Sequence, residues 1–295
     1  MKQNTAILIL KIAAILVFAG RAWQHLFWDA PYRSFFWDEA LLKPFIETFF
    51  DISWQSYVTS PTTDTVVQNL IFGSGILYLL VAIAIAFTTT KTIRITRTPI
   101  LVGTIGLVLL AILMTKEKFY HIAQFFEHSI QFGTPLLLLY SYSAKLSLKK
   151  LALALKILIA FTFCAHGLYA IGLYPVPGNF VDMLINILGC SEGQAMTMLY
   201  IAGIVDNALV LFLFLPKTSR YALWYATIWG LLTAFARVWA NIETDFLIAS
   251  LHQNIHQMIL RLPHGLVPLA VLFLPYKQQK SNQKQTIHCV LRSLP

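Results

Sequence analysis

The chain is 295 residues long, 57% hydrophobic and 12% charged, with a mean hydropathy of +0.67. A soluble domain carries about 25% charged residues, so the composition excludes a soluble globular protein and predicts an all-α polytopic transmembrane bundle. The formal charge of +9 is not a nucleic-acid footprint, because Lys and Arg sit in short connections between apolar runs and form no stripe along an amphipathic face.

A spanning helix needs roughly 20 predominantly apolar residues, and about eight such runs are expected. They cover 6–28, 67–88, 98–115, 119–143, 151–173, 195–215, 221–241 and 253–275. The first run, after Lys2, has the look of a secretory signal. Its apolar character continues through Ala22–Trp28, and it has a counterpart later in the chain, so it reads as a helix. The long connection 29–65 interleaves Phe35, Phe36, Trp37, Phe45, Phe49, Phe50, Trp54 and Tyr57 with acids, a mixture suited to a short helix in an aromatic belt at the headgroup level. Residues 277–295 read as a soluble tail.

Alternating the connections gathers Lys91, Arg94, Arg97, Lys145, Lys149, Lys150, Lys217 and Arg220 on one side with both termini. Asp29, Asp38, Glu39, Glu47, Asp51, Asp64, Glu117, Asp182, Glu192, Glu243 and Asp245 fall on the other. The Lys/Arg bias marks the cytoplasmic face, so both ends are expected inside, in a bacterial-type inner membrane.

The chain also repeats itself. Lys11, Ile12 and Phe18 match Lys156, Ile157 and Phe163; Arg97, Thr104 and Ile105 match Arg220, Thr227 and Ile228. Gln124, His128, Gln131 and Pro135 recur at the same intervals as Gln257, Arg261, His264 and Pro268. These matches predict two parallel four-helix repeats, 1–145 and 146–276, with a binding site between them.

Polar groups inside a membrane are costly and mark candidate sites. Here they crowd toward the outer end of the spans. The candidate ligand-binding set is Arg21, His121, Gln124, Glu127, His128, His166, Arg237, His256, Gln257, Arg261 and His264. Glu127 needs a cation, with Arg21 or Arg237 expected to supply it, and Lys11 and Lys156 are expected to snorkel to the inner interface. An outward-facing polar cavity closed below by apolar side chains suits a quinone or lipid headgroup. Haem would need facing pairs such as His121 or His128 with His166, His256 or His264. A metal site is not indicated: His121, Glu127 and His128 lack convergent spacing, and Cys164, Cys190 and Cys289 are scattered. Nucleophile and P-loop motifs are absent from the sequence. A transporter or channel subunit using the same cavity, and a scaffold whose polar groups only bond helix to helix, stand as alternatives.

The segments KIAAILVFAGRAWQHLFWDAPYRSFF and KILIAFTFCAHGLYAIGLYPVPGNF each resemble the opening of a DoxX-like membrane protein. The resemblance implies a tandem duplication of a four-helix unit over nearly the whole chain, in a group with some redox or quinone-linked members. Lys11 and Lys156 stand where that family usually has Arg, and no catalytic residue carries over. The long first outer loop is also similar to that of the transmembrane domain related to vitamin K-dependent carboxylase.

Overall fold

Long, predominantly apolar runs fold as helices because every backbone polar group must be satisfied within the segment. The computed structural model describes residues 2–275; the predicted tail at 277–295 lies outside them. Among the described residues all regular structure is helical. Long helices α1 (Lys2–Phe27), α5 (Pro61–Ala86), α6 (Ile93–Glu117), α9 (Leu148–Ala170) and α11 (Glu192–Phe214) run up and down the bundle with α12 (Ser219–Trp239). Short helices α2 (Arg33–Phe36), α3 (Glu39–Phe50) and α4 (Trp54–Thr59) fill the first long connection, and α10 (Gly178–Leu188) fills the later one. Two further rods are each broken, into α7 (Ile122–Glu127) and α8 (Ser129–Ser141), and into α13 (Leu247–Arg261) and α14 (Pro263–Phe273).

Six helical stretches are long and apolar enough to cross a membrane, fewer than the expected number of runs. The two exceptions have physical causes. Helix α12 carries Arg220 and Arg237 among Tyr221, Trp224, Tyr225 and Trp229, which dilutes its apolar character. The fourth rod is interrupted at His128, whose Nδ1 lies 2.8 Å from the Gln124 carbonyl. In an unbroken helix that carbonyl would accept the His128 N–H, which instead donates to Phe125 O at 3.1 Å. The last rod breaks at Leu262 because Pro263 has no N–H to continue the ladder.

Named contacts give the directions of the rods. Lys11 Nζ donates to Ala86 O at 2.8 Å, joining the start of α1 to the end of α5. At the opposite end Trp23 Nε1 donates to His252 O, tying the end of α1 to the start of α13. Lys156 does not snorkel: it is 4% exposed and donates to Ser219 Oγ at 2.7 Å, inside the protein where α9 meets the start of α12. The apolar centre is built from α1, α8, α9 and α14 through Ala13, Val17, Leu138, Ile159 and Val267.

Close helix approach depends on small residues. A Cβ on Gly230 would meet the His264 carbonyl at 2.6 Å, so α12 and α14 touch backbone to backbone at that level. At the far end of α6 the chain reverses through a Schellman turn. Phe119 N–H donates to Lys116 O and Tyr120 N–H to Thr115 O, with Phe119 in the left-handed region at φ 51°.

The predicted interfacial helix within 29–65 is α3, with Phe45, Phe49 and Phe50 exposed and Ile46 turned inward. Asp38 accepts from Leu41 N–H to cap it and is bridged to Lys116 at the end of α6. Arg33 braces the same connection between Asp29 and Asp64.

Candidate functional site

The two helix breaks bring charge together. Glu127 ends α7 and Arg261 ends α13, so each projects from a terminus toward α9. Arg261 Nη2 donates to Glu127 Oε1 at 2.6 Å. Neither Arg21 nor Arg237 forms that pair, a correction to the expected partner. His166 on α9 completes the group, its Nε2 lying 3.1 Å from Glu127 Oε1 and 2.9 Å from Arg261 Nη1. One ring nitrogen cannot accept from the guanidinium and donate to the carboxylate at once, so the proton position on His166 decides which contact is a bond. In either state Nε2 is taken by one neighbour, so His166 offers no free axial nitrogen for haem from that side. His264 lies beside it, the two rings tilted by 30° with centroids 5.5 Å apart.

Next to this group is a cavity of about 570 Å³ bounded by α9, α10, α11, α12 and the α13–α14 break. Its walls are mostly apolar, with Phe163, Phe180, Met183 and Ile187 among them. His166, Arg237, Arg261 and His264 supply polar atoms toward one end. Deeper in the bundle Asp206 lines the same space, accepting from Tyr225 OH at 3.0 Å and from Trp229 Nε1 at 3.4 Å. Arg237 is 5% exposed, and its buried Nε has no hydrogen-bond partner. The same holds for His264 Nε2.

The other candidates are placed elsewhere. Arg21 donates to Gln131 Oε1 at 2.6 Å and to Gln24 Oε1 at 2.7 Å in the first half. Gln124 accepts from Tyr169 OH at 3.3 Å, and His128 bonds back onto its own helix. His121 packs on Tyr174, and His256 lies stacked on Trp28. None of Arg21, His121, Gln124, His128, His256 or Gln257 lines this cavity. The chamber lies within the second half of the chain rather than between the halves, because α10 roofs it and α11 and α12 stand apart around it. Glu127 is the contribution reaching it from the first half, through Arg261.

Asp206, Tyr225, Trp229 and helix α10 were missing from the candidate set. A signal for α10 was present: Phe180, Met183, Leu184, Ile187 and Leu188 form an i, i+3, i+4, i+7, i+8 stripe on a segment too short to span. Among the described residues no group of three or more His, Cys, Asp or Glu side chains converges as a metal site.

Fold and site together define a polytopic helical membrane protein with a cation-bearing, largely apolar chamber in its second half. Compared with known proteins, the chain matches no family, no curated protein and no solved structure.

Proposed function

We propose that this membrane protein holds a lipid- or quinone-like molecule in the chamber bounded by α9 to α14. The observation that carries the reading is the cavity itself. It has the size range of small-molecule sites, apolar walls and a few polar groups at one end. Helix α10, amphipathic and laid across the opening, turns its apolar stripe into the chamber. We place the chamber in the outer half of a bacterial-type inner membrane with both termini cytoplasmic, on the Lys/Arg bias of the connections.

The tandem four-helix reading, and with it the DoxX-like resemblance, belongs to the same proposal. It is supported by the order α1, α5, α6, α7–α8 followed by α9, α11, α12, α13–α14, with the last rod of each set broken near the same repeat position. Corresponding broken helices are also what a transporter uses to build a site, so transport of the same molecule is the second reading. Flux of a bound lipid or quinone across proteoliposomes measures it.

Mass spectrometry of molecules retained after gentle extraction tests the binding reading. Wild-type protein is expected to carry a lipid or quinone that Ala202→Phe, filling the chamber from α11, displaces. Identical retained species in both proteins, in equal amounts, would sink the proposal.

A further inference from the structure

Resting on the reading of the cavity as a ligand chamber, we infer that its occupant is an amphiphile with an acidic headgroup paired to Arg237, entering sideways from the bilayer between α10 and α12.

Charge counting at the polar end leads there. Arg237 and Arg261 bring two guanidinium groups to the chamber, and Glu127 is placed on Arg261 at 2.6 Å. No salt bridge or side-chain hydrogen bond holds the Arg237 guanidinium among the described residues, although the residue is only 5% exposed. Asp206 faces the same space, but it is held by Tyr225 and Trp229. Trp229 stands two turns along α12 from Arg237, about 12 Å away by helical rise. A guanidinium in a low-dielectric site needs a counterion, and the chamber has room for one that comes with the ligand.

His264 narrows the headgroup further. Its Nδ1 lies 2.9 Å from the Arg261 carbonyl, which can only accept, so Nδ1 carries the hydrogen. In the neutral ring Nε2 is then a bare acceptor, buried and without a partner. An acid that also bears an O–H satisfies both residues: a negative oxygen for Arg237 and a hydroxyl for His264. A singly protonated phosphate monoester on a lipid has that chemistry. The route in is marked by Leu188 on α10 and by Leu232, Phe235 and Trp239 on α12, all lining the cavity and each more than half exposed. An apolar rim of this kind admits an acyl chain from lipid.

Native mass spectrometry of the full chain in a non-ionic detergent tests the assignment with 1-oleoyl lysophosphatidate against monooleoylglycerol, which keeps the chain and glycerol but lacks the phosphate. Wild-type protein is expected to retain lysophosphatidate at least tenfold more strongly. Arg237→Gln is expected to erase the preference and Arg237→Lys to restore part of it, with size-exclusion profiles unchanged. Equal retention of both lipids by the wild type, both lost in Ala202→Phe, would leave the chamber reading standing and overturn the acidic headgroup. Retention of neither lipid would overturn the acidic headgroup, and retention indifferent to Ala202→Phe would overturn both readings. The wild-type comparison needs no variant to fold.

Discussion

Glu127 shows how a single buried carboxylate organises its surroundings. It is 5% exposed, accepts from Arg261 and sits beside His166, so three rods meet through one oxygen. Removing one partner of such a pair strands the other charge, at a cost of about 3–5 kcal/mol, whereas replacing both with apolar groups can be nearly neutral. Glu127→Ala is therefore expected to destabilise the protein by about that amount in reversible denaturation, and Glu127→Ala/Arg261→Leu by clearly less than the sum of the single changes. Additive effects would mean that the pair does not couple. That Glu127 needed a cation was legible in the chain. Which cation was not, since Arg21, Arg237 and Arg261 all fall at the same depth and only the rotation and breaks of their helices separate them.

At the scale of elements, the breaks in the fourth and last rods matter more than their length. Pro263 announces one break in plain sequence; the other depends on His128 capturing the Gln124 carbonyl, which no propensity scale marks. Helix α3 is held to the bundle differently, by Asp38 at its start and Lys116 on α6. The Lys116 ammonium, hydrogen-bonded to it, holds the Asp38 carboxyl below the usual carboxylate range. A depressed folded-state value means that this contribution is fully present above the unfolded value of about 3.9. It is lost as pH falls through the lowered folded value. Hydrogen exchange over α3, corrected for intrinsic rates, is expected to show protection at neutral pH that fades below about pH 4. Asp38→Asn is expected to lack that extra protection already at pH 7. Asn still caps a helix start, so the substitution reports the tether and not the cap; unchanged protection would remove the tether from the account.

Over the whole molecule the arrangement is lopsided. Arg21, Glu127, Gln131, His166, Arg237, Arg261 and His264 occupy the half away from the termini, while Leu10, Leu138, Leu155 and Leu223 fill the other. Lys156 is a buried charge in that other half, turned inward to Ser219. Under the proposed orientation, with the basic connections inside, cysteines placed at Lys91 and Ser147 are expected to be shielded from a membrane-impermeant reagent in intact cells. Cysteines placed at Lys118 and Glu243 are expected to react. The reverse pattern would turn the chamber toward the cytoplasm.

The helical membrane character and most rod positions follow from composition and run length, because hydrocarbon leaves a spanning chain few alternatives to helix. The crowding of polar groups toward one end was legible for the same reason: depth along a helix is set by residue number. Where the chamber lies, and which candidates share it, depended on helix rotation, on two breaks and on the seating of α10. Arg21 and Arg261 have similar depth in sequence, yet only Arg261 reaches the cavity, since which neighbours a helix face meets is decided by packing against the other rods.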